Sequence, residues 1–254
     1  MMRSDITPLL LTYNEEPNIE RTLQRLHWAN EIIVIDSFST DKTLEILSSD
    51  PRIQVHQRKF DTFANQCNYG LSKINSEWVL SMDADYVLSQ SLVEELKTLE
   101  FSNEIDAYAV GFDYCVFGKP LRATLLPPRK VLYRKEKAIY KEDGHAHQVS
   151  ITGGQISMLK NKIEHDDRKS LSRWIASQDK YMLIEAKKIT ETPTHELSFP
   201  DRIRKKKLLA PILIFFFCLF VKKGILDGRA GWYYAFQRTF SEILLSLRLL
   251  EIDE

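Results

Sequence analysis

The chain has three cysteines, Cys67, Cys115 and Cys218, an odd number scattered over 254 residues with no C-x-x-C spacing. That usage excludes a disulfide framework and a cysteine zinc site and fits a reducing, cytoplasmic setting. Net charge is also missing, because 35 Lys and Arg balance 35 Asp and Glu. The broad positive field of a dedicated nucleic-acid binder is therefore absent, and nucleic acid is not an expected partner. No internal repeat, low-complexity tract or apolar run of the ~20 residues needed to span a membrane is found. The opening residues offer only Leu9-Leu10-Leu11 before polar residues follow, too little for a secretory signal. What remains is 44% hydrophobic and 28% charged, an ordinary globular composition. The length suits one large α/β domain, or one domain with an appendage.

The recurring pattern is an apolar run, a polar loop and an amphipathic helix. Residues 6–12 form the first run and end in Tyr13-Asn14-Glu15-Glu16-Pro17, after which Ile19, Leu23 and Leu26 share a helical face over 19–28. Residues 31–35 read as a buried strand, 36–40 as a polar loop and 41–47 as a helix. A strand at 53–56, a helix at 63–74, a strand at 77–82 and a helix at 91–99 follow. Strands alternating with helices predict a mostly parallel sheet with right-handed crossovers, which binds ligands outside the carboxyl ends of its strands. Three strands end in polar residues, at 12–15, at 36–37 and at 83–85, and these ends are expected to face one crevice.

From 106 to 151 the pattern turns β-rich, with strands expected over 107–117 and 130–134 and turns at Gly118, Pro127 and Pro128. After Arg168 it is helical. The expected organisation is a domain over 1–167, with a ligand-binding half at 1–100 and a second half at 101–167, followed by a helical region over 168–254. Within that region a basic run, Arg202-Ile-Arg-Lys-Lys-Lys207, precedes an apolar stretch of about 14 residues, 208–221, and Lys222-Lys223 closes it. This is too short to span a bilayer. It reads either as a core helix or, given its basic flanks and Phe215-Phe216-Phe217, as a segment at 202–223 lying in the headgroup region of an anionic membrane.

Asp83-Ala84-Asp85 carries the sharpest chemical signal. Two carboxylates on a rigid strand end offer the hard oxygen ligands that Mg²⁺ or Mn²⁺ takes beside a diphosphate. A bare D-x-D also occurs as a solvated turn or a helix cap, so its context decides. Here it follows a strand, after Thr12-Tyr13-Asn14-Glu15 at the end of the first strand and Asp36-Ser-Phe-Ser-Thr-Asp-Lys-Thr43 at the end of the second. In that order and spacing residues 5–100 resemble family 2 glycosyltransferases of the GT-A fold, and are similar in particular to bacterial enzymes of lipopolysaccharide-core and polysaccharide biosynthesis.

The resemblance implies an α/β, GT-A (Rossmann-like) nucleotide-diphospho-sugar transferase fold with a mostly parallel central sheet and a helical C-terminal extension. It implies that Thr12, Tyr13, Asn14, Glu15 and Asp36 hold the nucleotide, with Asp36 accepting a base N–H. Asn68, with Gln66 beside it, matches a family position lining the nucleotide pocket, although an exposed polar helix face is the plain alternative. Asp83 would reach the ribose or, through water, the metal. Asp85 would ligate the metal directly, and His165 matches a family histidine beside metal and diphosphate, where a structural role is the alternative. Lipopolysaccharide-core relatives place a catalytic Glu ahead of a Gly turn. This chain has Glu142-Asp-Gly-His-Ala-His-Gln148 ahead of Gly153-Gly154, and the Glu is missing from its place. Asp143, His145 and His147 stay open as the general base. Ser170-Leu-Ser-Arg-Trp174 lacks the Gln of the Q-x-x-R-W signature of processive synthases, which favours transfer of one sugar per acceptor.

The function implied is inverting, metal-dependent transfer from a nucleotide-sugar donor, a UDP-sugar in first place, to a lipid-linked glycan acceptor, at the inner face of the plasma membrane. A polyprenyl-phosphate glycosyltransferase is the enzymatic alternative, and an inactive membrane-associated scaffold the non-enzymatic one. A nucleotidyltransferase would carry a Gly-rich loop after the first strand, which is absent here.

Overall fold

A computed structural model describes residues 5–122, 124–143 and 146–252, the side chains of 142–148 excepted. The chain forms two compact units, Met1–Tyr114 with Leu126–Arg168, and Cys115–Leu125 with Lys169–Glu254.

In the first unit the expected alternation is present as β1 (Ile6–Thr12), α1 (Ile19–Gln24), β2 (Ile32–Asp36), α2 (Thr43–Ser48), β3 (Ile53–Gln57), α3 (Phe63–Leu71) and β4 (Trp78–Asp83). After the short β5 (Tyr86–Leu88) come α4 (Gln90–Thr98) and β6 (Ile105–Val116). Beyond β7 (Lys119–Pro120) lie β8 (Arg129–Arg134), β9 (Ala138–Asp143), β10 (Ala146–Ile151) and β11 (Gln155–His165). The main sheet is ordered β3-β2-β1-β4-β8-β6-β11-β5. Its β3-β2-β1-β4 half is parallel throughout, and β8 and β5 run against their neighbours. The hairpin β9–β10 is a separate two-stranded sheet. Helix α1 is shorter than the 19–28 read from the sequence. Its continuation closes with three-residue turns, Leu26 N–H to the Leu23 carbonyl and Ala29 N–H to that of Leu26, as helix ends commonly do.

Alternation along each strand divides the core between the two faces of the sheet. Leu10, Val34 and Leu80 point to the side of α1 and α4, whereas Leu9, Ile33, Ile35 and Val79 meet α3 and the β9–β10 hairpin. Side chains are buried on both faces, so these strands read as unbroken apolar runs in the sequence. Register then fixes the functional edge. Thr12 stands beside Asp36 and Leu11 beside Asp83, so the three polar strand ends lie along one margin of the parallel half.

The second unit contains β7 and four helices, α5 (Leu171–Glu191), α6 (Phe199–Arg204), α7 (Leu209–Phe216) and α8 (Gly228–Ile252). Ser170, standing where processive synthases carry Gln, caps α5 by accepting the Arg173 N–H at 3.3 Å. Buried polar ties join the helices. Arg204 donates to Glu242 of α8 at 2.7 Å and to Asp201 at 2.9 Å, and Ser241 donates to Gln178 of α5 at 2.9 Å. All three cysteines are buried. Among the described residues no single helix is long and apolar enough to cross a membrane.

Helix α3 lies close on the sheet because residue 70 has no side chain. A Cβ there would stand 2.5 Å from Leu9 Cδ1 and 3.1 Å from Ile35 Cγ1. Gly70→Val is expected to lower the unfolding free energy by about 1–3 kcal/mol through overpacking, against the small helix-propensity gain of losing a glycine. Gly111→Ala is the control. Its Cβ would meet Lys162 Cγ at an ordinary 3.6 Å, and the change is expected to be neutral or mildly stabilising. Urea denaturation of both variants checks the argument, and equal losses would contradict it.

Candidate functional site

The site begins with Asp36, whose side chain is fully buried at the end of β2. A buried carboxylate must be matched by donors, and four converge on it. Thr12 Oγ1 and Ser39 Oγ donate to Oδ1 at 2.9 and 2.5 Å, and the Ser39 N–H and Gln57 Nε2 donate to Oδ2 at 2.9 and 3.3 Å. The ends of β1, β2 and β3 are thereby tied together. Above this knot the loops after β1 and β2 interlock. Asn14, at φ 55°, accepts the Thr40 N–H on Oδ1 at 2.6 Å and donates its own N–H to Ser39 Oγ at 2.8 Å, and the Glu15 N–H reaches Thr43 Oγ1 at 2.6 Å. Asp41 accepts the Thr43 N–H at 3.0 Å and holds the start of α2, leaving Asp36 to the strand ends. Tyr13 and Phe38 are left as exposed rings on this rim.

The second cluster forms where β4 hands over to β5. Register pairs Tyr86 of β5 with His165 of β11, and His165 with Tyr114 of β6. The imidazole lies between the two tyrosine rings, edge-on at centroid distances of 5.3 and 4.9 Å. Its Nε2 is 3.1 Å from Asp85 Oδ2, and its Nδ1 is buried without a hydrogen-bond partner. Burial pulls the His165 pKa down, yet Asp85, with Asp83 and Asp167 behind it, holds it above the ordinary histidine value. Beside Asp83 the buried Tyr86 hydroxyl accepts a hydrogen bond from Arg129 at 3.1 Å. Burial and the nearby Asp83 carboxylate raise the Tyr86 pKa well above its ordinary value, so the phenol keeps its proton.

A third group clasps the two clusters together, and most of it escaped the sequence reading. Arg21 of α1 donates to Asp166 Oδ2 at 2.6 Å and to Asn18 Oδ1 at 2.9 Å. Asn18 in turn donates to Glu15 at 2.9 Å and to Asp167 at 3.0 Å. Arg168 Nε reaches Asp166 at 3.0 Å, and the Asp166 N–H donates to the Asp85 carbonyl at 3.1 Å. The available signals were the i, i+3 pair Asn18–Arg21 just after the first loop and the His-Asp-Asp-Arg run at 165–168.

The sequence candidates thus separate. Thr12, Asn14, Glu15 and Asp36 meet in one knot, with Tyr13 on its rim, and Asp83, Asp85 and His165 meet in another. Asn68 is placed differently: its carboxamide donates to the Tyr140 carbonyl at 3.0 Å and accepts the Tyr140 N–H at 2.9 Å, which fastens α3 to β9. Gln66 is buried, bonded to Ser37 at 2.8 Å and to Arg58 at 2.6 Å. His145 lies outside the described residues, as do the side chains of Asp143 and His147. Backbone register does place Asp143 opposite Ala146 and His147 opposite Glu142 near the hairpin tip.

The donor set suits a divalent cation only in part. A carboxylate oxygen and an imidazole nitrogen 3.1 Å apart match two adjacent ligands of one ion, which stand about 3 Å apart when each bond is ~2.1 Å. Among the described residues no group of three or more His, Cys, Asp or Glu is arranged to hold a metal. Asp85 and His165 are thus a pair whose spacing suits one divalent ion, without a third such side chain among the described residues.

Known proteins share this architecture. A lipopolysaccharide core biosynthesis glycosyltransferase, LpsC of Rhizobium meliloti, is 23% identical over 91% of this chain and 89% of its own length. An uncharacterized glycosyltransferase of Rickettsia bellii is 30% identical over 42% of the chain, and glycosyltransferase SunS of Bacillus subtilis is 34% identical over 38%. The chain spans only 37% and 24% of the lengths of these last two. Among solved structures, S. aureus TarS 1-349 in complex with UDP-GlcNAc superposes with a TM-score of 0.53, covering 98% of this chain and 91% of that one at 16% identity, a likeness of fold. The model of the family described as "Glycosyl transferase family 2" matches residues 9–164, which include the strand-end knot, the Asp83-Ala84-Asp85 turn and nearly all of β11. With more than half of its length matched, the chain belongs to glycosyl transferase family 2.

Proposed function

We propose that the chain transfers a sugar from a nucleotide diphospho-sugar, a UDP-sugar first, to a lipid-linked glycan of lipopolysaccharide or cell-surface polysaccharide, with inversion at the anomeric carbon. The observation that carries this reading is the pairing of Asp85 with His165, 3.1 Å apart on the margin where the strand ends of β1 and β2 also lie. The Thr12–Glu15 loop, set from beneath by the buried Asp36 knot, would hold base and ribose, and Asp83 would face the ribose. Asp85 and His165 would hold Mg²⁺ or Mn²⁺ together with the donor's diphosphate. A cation bound there supplies charge neutralisation for the leaving diphosphate. Arg21 keeps Asp166, and through it the Asp85 carbonyl, in place. The general base is sought on the β9–β10 hairpin, at Asp143, His145 or His147. The likeness to LpsC, a glycosyltransferase of lipopolysaccharide core biosynthesis, supports a lipopolysaccharide-core acceptor, and the UDP-GlcNAc complex of TarS agrees with a UDP-sugar donor. Such an acceptor places the enzyme on the cytoplasmic face of the membrane. Because the sequence lacks the expected Glu, a polyprenyl phosphate, which attacks without a strong base, is the second reading.

Calorimetric titration of UDP, GDP and CDP with and without Mn²⁺ tests the donor site. Metal-dependent UDP binding is expected, and Asp85→Ala should weaken it by more than about 100-fold, beyond the usual cost of losing an outer-shell partner. No nucleotide binding under any condition would sink the enzyme reading.

Among Asp143→Asn, His145→Ala and His147→Ala, one is expected to lose at least ~100-fold in turnover, the scale of general base catalysis, while UDP affinity stays unchanged. If all three keep full turnover, the hairpin does not carry the base, and transfer to a polyprenyl phosphate becomes the reading to pursue.

Arg21→Met leaves the buried Asp166 with Arg168 alone, and is expected to cost about 1–3 kcal/mol of stability. Thermal unfolding measures it, and an unchanged midpoint would refute the clasp.

A further inference from the structure

Helix α8 is apolar on two sides. Its buried side packs Tyr234, Leu245 and Leu249 beside the polar Ser241, Glu242 and Ser246, while its exposed side carries Trp232, Phe236, Phe240, Ile243, Leu247 and Leu250. Those six recur in steps of three and four, one continuous stripe along the helix. Next to it, α7 exposes Ile212, Leu213 and Phe216, and Phe220 follows in the π-helical turn that extends α7. Phe215 joins the two helices, with ring centroids 5.9 Å from Phe236 and 6.1 Å from Trp232, and Phe216 stacks on Phe220 at 6.0 Å. Large apolar surfaces of this kind are rare on soluble monomers and mark a place where something docks.

Charge identifies the occupant. Between Arg202 and Leu226 the chain has seven Lys and Arg and no Asp or Glu. Arg204 is engaged by Glu242 and Asp201, whereas Lys206 and Lys207 lead into α7 and Lys222 and Lys223 stand at its far end. A second copy of the chain, docking through a two-fold axis, would bring like cationic borders together. An anionic lipid surface meets both features at once. The extended α7 and the helical segment containing α8 are bent by 67° at a break that contains Lys223, at φ 58°. A Cβ at Gly231 would overlap the Gly224 carbonyl, so the bend also depends on glycine.

We infer that the α7–α8 hairpin docks on an anionic bilayer, lying along the headgroup plane with its aromatic and aliphatic stripe against the acyl chains and its lysines on lipid phosphates. This rests on the membrane address proposed above and extends it from the 202–223 segment to the whole length of α8. Flotation of the full chain with vesicles of phosphatidylcholine plus phosphatidylglycerol, against phosphatidylcholine alone, tests it. At least ~10-fold tighter binding to the anionic vesicles is expected. The Phe236→Ser, Phe240→Ser, Leu247→Ser triple variant should lose ~10-fold or more of it. If that variant fails to fold, Lys206→Gln, Lys222→Gln, Lys223→Gln serves in its place and should abolish the preference for anionic lipid. Absence of wild-type flotation, or flotation unchanged in the variant used, overturns the inference. So does a lipid-free dimer that the apolar variant dissociates while neither form floats. The UDP titration is read separately on the same samples, so a failed docking surface and a failed donor site are distinguishable.

Discussion

The arrangement of the donor-side margin depends on one desolvated carboxylate. Asp36 is fully buried and its four observed donors are all uncharged groups, from β1, the loop after β2, and β3. Removing such a group from water is costly unless its oxygens are matched, so the strand ends cannot drift apart without stranding it. The same demand explains the unusual backbone nearby. Asn14 and Phe38 take left-handed φ values of 55° and 61°, conformations that persist where surrounding bonds over-determine them. Asn14 is held by Thr40 and Ser39, and Phe38 lies directly between two residues of the knot. A rim built in this way exists before any ligand arrives, and a preorganised rim reduces the ordering cost of binding.

On the other side of β4 the problem is reversed, with too much negative charge gathered in one place. Asp83, Asp85, Asp166 and Asp167 lie within a short stretch of space, and the structure offsets them with Arg21, Arg168, Arg129 and a histidine whose pKa Asp85, Asp83 and Asp167 raise. Arg21 and Arg168 bond to Asp166, and Arg129 to Tyr86. Asp85 is instead faced by His165, whose affinity for a proton tracks the local negative potential.

Much of the parallel half was legible in the sequence because its strands are buried on both faces and its helices on one, and those two patterns differ in period. The strands that escaped notice lack such a pattern. β5 has three residues, and β11 alternates through Lys160, Lys162 and Glu164 with only Leu159 and Ile163 buried. The β9–β10 hairpin mixes polar and apolar residues equally, with Tyr140 and Val149 buried. The site divided along the same line. The Thr12–Asp36 pair was accessible from two consecutive strand ends, but Asp85 and His165 are 80 positions apart and meet only through the register of β5 on β11. Asn68 shows the converse limit, since a polar residue on a helix can satisfy backbone as readily as a ligand.

The C-terminal helices show why periodicity alone could not reveal their surface. α8 has apolar residues around most of its circumference, and a sequence pattern does not state which of them the fold covers. On the buried side Arg204 pairs with Glu242 and Ser241 with Gln178, beside the apolar cluster of Leu245 and Leu249 with Ile189 and Leu197. Those polar bonds and that small apolar cluster hold the helix arrangement together. The aromatic residues are left outside, at a cost of roughly 25 cal/mol for each Å² kept in water. Docking on an apolar medium, as proposed for this stripe, would remove that cost. The lysines bordering α7 would limit how deep such a medium reaches, since ammonium groups stay with the headgroups, so the proposed docking is on the bilayer surface and not across it.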